Sequence, residues 1–423
     1  MTTPIPAVKT VASIQFTEPE VYTLDNGLEV FGFNGAGNDV IKVDLIFSSG
    51  RWTENKPLVS AFCSDLLKSG TKDQSAFDLA ERIDFLGGTL KSSAGYNSFT
   101  LSLYCLTRHL EACLQILLPV LNDTIFPENE IVLTQQKRLS KLKINQLKND
   151  YVGDMAFKEM LFGPNHPYGY VTTADMIKSI DQNDIIEYYY HQLNPSLCYV
   201  GLAGKYGTAE IDLLNKYLGN KDNWQKGLAE TVPNWEIESS QKQKRYIELP
   251  DSVQASIYIG NRTIERSHID YIPFALLNMV FGGYFGSRLM SNLREDKGLT
   301  YGVYSYNQNY KYGAAFIINT ETALKHLKTC LKEIYFEMDR LKDQLIPEDE
   351  LLMAGNYLLG RLLDQVDGPF KLSNTFMSLK GHGLSLDYFK QMEKTIKSIN
   401  PEQLLETAQK YFIKENMFEV VVK

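Results

Sequence analysis

An arginine and a tyrosine seven residues apart form the most chemically informative spacing in this 423-residue sequence. Arg294 and Tyr301 lie in the segment Leu-Arg-Glu-Asp-Lys-Gly-Leu-Thr-Tyr. A guanidinium stays charged and offers several fixed N–H donors, and a tyrosine hydroxyl can donate to a developing oxyanion. Gly298 allows the backbone to turn sharply between them. In the alternative interpretation, Arg294 pairs with an acid on its own helix and Tyr301 begins a core strand.

A pair of glycines precedes this segment. Gly282 and Gly283 lie in the run Phe-Gly-Gly-Tyr-Phe-Gly-Ser-Arg-Leu, which begins at Phe281. Two adjacent glycines can form a tight turn, and they can also form a loop whose backbone approaches a substrate closely. The residues alone leave both interpretations open.

The histidines and cysteines do not have the spacing of a zinc site. Two ligands on one helix face are three or four residues apart, but the closest histidines here are 25 residues apart. Cys63 and Asp65 do not share a helix face, because they are two residues apart. The surrounding segment 57–73 indicates a buried helix that ends near Gly70. We therefore expect this chain to hold no metal.

Composition excludes several classes of protein. The net charge is −8, and an isoelectric point near 5.4 argues against a general nucleic-acid binder. Hydrophobic residues make up 44%, which is typical of a globular protein, and no apolar run reaches the ~18–20 residues of a transmembrane segment. The first residues lack the pattern of a secretion signal, and the five cysteines contain no Cys-x-x-Cys pair. We expect a cytoplasmic protein, or a periplasmic one if the chain has been trimmed.

Short segments recur in the same order along the two halves of the chain. The segment at His109 recurs 217 residues later, that at Ile125 recurs 220 residues later, and that at Ile177 recurs 219 residues later. Three matches at nearly one offset indicate an internal duplication. The pattern predicts one domain over residues 1–220, a polar linker over 221–245 and a second domain over 246–423.

Hydrophobic periodicity predicts the same elements in each half. Strand patterns lie at residues 28–33, 40–48, 99–104, 253–260 and 314–318. Helices are predicted for residues 107–121 and 324–341. Two further helical stripes repeat every three or four residues: Leu58, Phe62 and Leu66, then Phe77, Ala80 and Ile83. Strands followed by clustered helices indicate an α+β fold, with two homologous domains that each pack helices on an antiparallel-rich β-sheet.

Landmarks along most of the chain resemble those of a zinc metallopeptidase family, in the same order. This family includes insulinase, pitrilysin and the mitochondrial processing peptidase. The strongest match is the block from Phe281 to Tyr301, and three further matches lie in the first half, at residues 24–28, 85–88 and 165–169. The resemblance implies the fold of this family and the binding of unfolded or extended peptides.

The resemblance also shows which catalytic groups are missing. The family carries His-x-x-Glu-His on a helix, and the two histidines and the glutamate fall on Ala61, Asp65 and Ser64. Alanine has no ligand atom and serine cannot act as the base, so the resemblance implies a degenerate zinc site. The third ligand of the family, a glutamate, falls in a region where Gln135 and Gln136 stand.

The C-terminal block, in contrast, retains the residues of the family. In the family, the arginine and tyrosine reach the zinc site across the cleft, bind the peptide and polarise the carbonyl under attack. The resemblance assigns these roles to Arg294 and Tyr301. It allows Gly282 and Gly283 to form a loop that faces the substrate.

We therefore expect a non-catalytic subunit of a heterodimeric zinc peptidase. Its partner would be a homologous catalytic subunit that carries His-x-x-Glu-His and the zinc, and this chain would hydrolyse nothing alone. One alternative is a structural, assembly or peptide-binding protein with no role in proteolysis. Another is an enzyme that uses Cys63 as a nucleophile. A homodimer of the isolated chain is also compatible with the sequence.

Overall fold

A computed structural model describes residues 11, 13–35, 37–224 and 233–423. Their contacts form two compact units. The N-terminal unit contains Glu18–Gln241 and Gly368–Gly381, and the C-terminal unit contains Lys242–Asp367, His382–Lys423 and the described residues before Glu18. Residues 225–232 of the predicted linker lie outside the described residues. The end of that predicted linker, at Lys244 and Arg245, belongs to a strand.

The sheet of the N-terminal unit contains β1 (Glu20–Thr23), β2 (Glu29–Asn34), β3 (Val40–Phe47), β4 (Thr89–Ala94), β5 (Phe99–Leu106) and β6 (Cys198–Gly204). The strand order is β1-β2-β6-β3-β5-β4. Strands β2 and β6 run parallel, and the other neighbours are antiparallel. Ile41, Val43 and Leu45 of β3 are fully buried, so this strand lies at the centre of the core.

Helices pack on this sheet. Their bounds are α1 (Val59–Leu66), α2 (Ala76–Phe85), α3 (Leu110–Asn122), α4 (Glu128–Asn145), α5 (Asn149–Phe162), α6 (Ala174–Ser179), α7 (Gln182–Gln192) and α8 (Thr208–Leu214). The predicted stripe of Leu58, Phe62 and Leu66 is buried in the core. The helix predicted from Phe77 and Ile83 is also present, as α2. Its buried residues are Leu79 and Ile83, whereas Phe77 is 73% exposed.

The C-terminal unit repeats this plan. Its strands are β7 (Lys244–Ile247), β8 (Gln254–Arg262), β9 (Val303–Tyr310), β10 (Gly313–Ala323) and β11 (Phe418–Val422), in the order β7-β11-β8-β10-β9. Strands β7 and β11 run parallel, as β2 and β6 do. The helices that follow in the chain are α9 (Tyr271–Asn278), α10 (Leu327–Asp343), α11 (Glu348–Gln365), α12 (Gly368–Gly381), α13 (Asp387–Ser398) and α14 (Pro401–Tyr411). Among them, α12 belongs to the N-terminal unit.

The repeated sequence segments occupy equivalent places in the two units. His109 and His326 each end a 3₁₀ turn that leads from a strand into a long helix, α3 or α10. Pro127 and Pro347 each stand directly before the first residue of α4 or α11. The third pair of segments caps α7 and α14 with an acid or amide side chain. The predicted α+β fold with an internal duplication is therefore confirmed.

Helix α12 covers the face of the first sheet that lies opposite α1. Phe376 packs on Phe31 and Phe33, with ring centres 5.2 and 5.5 Å apart. The ammonium of Lys42, which pairs with the buried Asp44, also lies 2.5 Å from the amide oxygen of an asparagine on α12. Burial of an ion pair costs free energy unless its polar partners are supplied, and α12 supplies one of them.

Among the described residues, every helix is too short or too polar to span a membrane.

Replacing Phe376 with alanine should remove its ring contacts with Phe31 and Phe33 of the sheet. We expect the free energy of unfolding to fall by about 3 kcal/mol, as for other large-to-small core substitutions. Chemical denaturation measures the change. Phe85→Ala is the matched control, because Phe85 is 89% exposed and its loss should cost less than about 0.5 kcal/mol. Equal losses in the two variants would contradict the packing role of α12.

Candidate functional site

Helix α1 carries the positions at which the resemblance places the zinc ligands. Ser64 is buried, Ala61 is partly buried and Asp65 is exposed. Asp65 accepts two hydrogen bonds from Arg138 of α4, from Nη2 at 2.7 Å and from Nε at 2.9 Å. Arg138 Nη2 also donates to the carbonyl oxygen of Ala61 at 3.0 Å. A guanidinium therefore joins the two helices beside the degenerate positions.

The region expected to carry the third ligand contains Gln135 and Gln136, and Arg138 lies two residues after them on α4. Gln135 donates its side-chain amide to the carbonyl oxygen of Ile180 at 3.0 Å, and Gln136 is exposed. Arg138 was not predicted from the sequence as a residue of this site. Helical spacing could have placed Arg138 on the inward face of α4, because it lies four residues after Thr134 and four before Leu142, both of which are buried. A basic residue on that inward face needs an acidic or carbonyl partner.

The donor set in this place does not fit zinc. Ala61 contributes no side-chain donor, and the carboxylate of Asp65 already binds a cation. Cys63 is fully buried in the core while Asp65 is exposed, so the two side chains do not converge on one ion. The same burial argues against Cys63 as a nucleophile, because a nucleophile must reach its substrate. Within the described part of the chain, no three histidine, cysteine or acidic side chains are grouped to hold a metal ion.

A buried carboxylate fixes the start of helix α1. Glu54 accepts hydrogen bonds from the backbone N–H groups of Leu58 and Ser60, at 3.1 and 2.9 Å. The Tyr170 hydroxyl donates to the same carboxylate at 3.0 Å. These bonds satisfy N–H groups that the first turn of a helix leaves without partners. Burial raises the pKa of Glu54, and the hydrogen bonds of Ser60 and the charge of Arg51 offset part of this rise.

In the C-terminal unit, Arg294 and Tyr301 are both open to solvent. Arg294 lies in a π-helical segment, Met290–Asp296, and its guanidinium carbon is 4.8 Å from the ring centre of Phe285. No carboxylate pairs with Arg294 among the described residues, so the ion pair of the alternative interpretation is absent from them. Tyr301 is 89% exposed and precedes β9, so it does not begin a buried strand. No hydrogen bond joins Arg294 to Tyr301 within this described part of the chain.

The two predicted glycines are needed for close packing. Gly282 is buried, and a Cβ atom on it would lie 2.5 Å from the hydroxyl oxygen of Ser305. A Cβ atom on Gly283 would lie 2.5 Å from the terminal carbon of Met279 and 3.0 Å from a backbone oxygen. Both glycines lie in the π-helical segment Met279–Gly283. This packing accounts for the glycines, and their role toward a substrate stays a prediction.

The segment that carries Arg294 is anchored by an ion pair. Lys297 donates to Glu333 of α10 at 2.9 Å, and Asn292 donates to Glu337 of the same helix at 2.6 Å. The hydrogen bond and charge of Lys297 lower the pKa of Glu333. Gly298 then adopts a φ of +58°, which favours glycine, and reverses the chain. The anchors hold the helical segment while leaving Arg294 exposed.

Comparisons with known proteins identify the family of this chain. Residues 34–162 match the family model described as "Insulinase (Peptidase family M16)". Residues 179–358 match the model described as "Peptidase M16 inactive domain". The chain belongs to the M16 peptidase family. The predicted family is thereby confirmed, and the second model begins before β6, so it also includes the last strand of the first sheet.

Individual M16 relatives carry different names. A Bacillus subtilis protein named "Uncharacterized zinc protease YmxG" is 25% identical over 90% of this chain and 92% of its own length. A Helicobacter pylori protein named "Non-peptidase homolog YmxG" is 26% identical over 70% of this chain and 68% of its own. A crystal structure of a "peptidase M16 inactive domain" from Pseudomonas fluorescens superposes with a TM-score of 0.86 at 21% identity, covering 96% of this chain and 98% of that one. This chain is M16-like, its second half matches the inactive-domain model, and its relatives carry both zinc-protease and non-peptidase names.

Replacing Lys297 with methionine should weaken the anchor of the segment that carries Arg294. At neutral pH we expect a loss of about 0.5 kcal/mol in the free energy of unfolding, as for a partly exposed ion pair. Lys297 lowers the folded-state pKa of Glu333 below its ordinary value of 4.5. The stabilisation is therefore complete above that value and is lost as pH falls through the lowered one.

Chemical denaturation of the wild type and Lys297→Met, from neutral to strongly acidic pH, measures this loss. Lys325→Met is the control, because Lys325 is exposed and has no ion pair among the described residues of its unit. A difference between wild type and Lys297→Met that persists unchanged in acid would contradict the assignment to Glu333.

Proposed function

We propose that this chain is the non-catalytic subunit of a heterodimeric zinc peptidase. It binds an extended peptide and supplies Arg294 and Tyr301 to the active site of a homologous partner. That partner carries His-x-x-Glu-His and the zinc, and this chain carries none. The predicted cytoplasmic location stays a prediction.

The observation that carries this proposal is the exposed pair of Arg294 and Tyr301. A guanidinium with no carboxylate partner retains most of its donors for a ligand, and its stacking on Phe285 limits its rotation. The Tyr301 hydroxyl is equally open. Donors held in place before substrate binds are the type of group that stabilises negative charge on a carbonyl oxygen under attack.

The end of the second sheet supports the binding of an extended peptide. Strand β9 is the last strand in the order β7-β11-β8-β10-β9. A terminal strand can pair its backbone with an added peptide strand, and neighbouring side chains then provide contacts for the peptide. Tyr304 and Tyr306 of β9 are exposed, and Tyr301 lies two residues before this strand. Aromatic side chains of this type bury large areas on binding.

The absence of catalysis by the chain itself is supported by helix α1. Ala61 and Ser64 provide neither a metal ligand nor a general base, and Asp65 is bound to Arg138. The name of the Helicobacter pylori relative agrees with this proposal, whereas several relatives are named zinc proteases. A structural, assembly or peptide-binding protein with no role in proteolysis is the second candidate, because the same degenerate helix is compatible with it.

Purification of the native complex separates the two candidates. The affinity-tagged chain is purified from its own cells, and the complex is analysed for zinc and for cleavage of an unfolded labelled peptide. If a His-x-x-Glu-His partner co-purifies and cleavage needs both chains, the proposal is supported. If the partner cleaves equally well without this chain, or if the chain purifies alone or as a homodimer, the second candidate takes its place.

Substitution of the exposed pair tests its role directly. Arg294→Ala and Tyr301→Phe should each lower the turnover of the assembled complex at least about tenfold, because each removes a donor to the developing oxyanion. Steady-state cleavage of the labelled peptide measures this. Arg82→Ala and Tyr190→Phe are the controls, since both residues are exposed in the other unit. Turnover within about twofold of wild type for Arg294→Ala would refute the supply of this pair to the partner.

A further inference from the structure

The contact between α1 and α4 lies where the family places a metal. The resemblance puts two ligands on the helix that is α1 here and a third on a later helix. In this chain the same two helices are joined by the guanidinium of Arg138, which binds Asp65 and the carbonyl oxygen of Ala61. Both contacted positions, Ala61 and Asp65, are positions at which the family carries histidine.

We infer that Arg138 replaces the missing metal as a built-in cation that joins α1 to α4 and excludes a divalent ion. This inference goes beyond the proposed function, because it concerns the N-terminal unit of this chain and not its partner. Zinc in the family joins helices by binding side chains from each of them. Arg138 makes the corresponding connection with a side chain of α4 and two groups of α1.

The geometry distinguishes this contact from an ordinary surface ion pair. The Arg138 side chain is 25% exposed, and its guanidinium carbon lies 4.9 Å from the ring centre of the fully buried Phe62. Two nitrogens bind one oxygen of Asp65, so the planar group is held in orientation as well as in position. The side chains of Lys72 and Asp123 in the same unit make one contact, and this lysine is 70% exposed.

The same arrangement opposes the binding of zinc. Asp65, the acid at the degenerate site, is already paired with a cation. A divalent ion placed beside Asp65 would meet the positive charge of the Arg138 guanidinium. Restored ligands on α1 would therefore be insufficient while this arginine remains.

A double-mutant cycle tests the connection between the helices. Arg138→Met and Asp65→Asn should each lower the equilibrium constant for folding about tenfold, and the double variant should lose little more than either single variant. Chemical denaturation measures all four proteins. Lys72→Met is the control and should change the constant less than about threefold. Additive losses in the double variant would overturn the assignment.

A grafted zinc site tests the exclusion of metal independently of stability. One variant carries Ala61→His, Ser64→Glu and Asp65→His, and a second adds Arg138→Met. Titration of zinc against a chelating dye, with the wild type as reference for its other histidines, gives the affinities. The second variant should bind zinc at least about tenfold more tightly than the first, because a cation has been removed without adding a ligand. Equal affinities, or tight zinc binding at this place in the wild type, would overturn the inference, and circular dichroism confirms that both variants are folded.

Discussion

The N-terminal unit depends on a charge held between two helices. Helix α1 buries Phe62 and Cys63 in the core, and α4 packs beside it with buried residues of the same core. Arg138 also joins the two helices. A metal-bridged pair of helices depends on metal supply and on deprotonated ligands, whereas a guanidinium is part of the chain and always charged. The loss of zinc ligands therefore need not have loosened the fold.

The second unit uses arginine in two different ways within one sequence block. Arg288 forms two hydrogen bonds of 2.8 Å with Glu350 of α11, so its role is to hold α11 against the block. Arg294, six residues later, has no such acid and stacks on an exposed ring. Sequence spacing alone does not separate these two uses, because both arginines belong to the same matching block. The difference is the neighbouring group, which is a carboxylate for Arg288 and an aromatic ring for Arg294.

The sequence alone predicted the fold class and the duplication, but it did not predict the contacts between side chains that are distant in the sequence. Hydrophobic spacing predicted strands β2, β3, β5, β8 and β10 and helices α1, α2, α3 and α10, and the three repeated segments predicted the duplication. Other strands of the two sheets, such as β6 and β11, were not predicted. The exposure of Phe77 was not predicted, because the direction of a helix face depends on the neighbouring layer. The degenerate positions Ala61, Ser64 and Asp65 came from resemblance, and their partner Arg138 was missed. Asp65 and Arg138 are 73 positions apart, so no local pattern in a single sequence indicates that they are in contact.

The late position of α12 in the sequence limits where this chain can be cut into fragments. This helix comes late in the sequence, yet it covers Phe31, Phe33 and the buried Lys42–Asp44 pair of the first sheet. A fragment ending between the two repeats would expose two aromatic rings and remove a polar partner of the buried lysine. The first sheet is therefore completed by a helix that comes after residues Lys242–Asp367 of the other unit in the chain. The duplication left two similar sheets, but the N-terminal unit does not end where the first repeat ends.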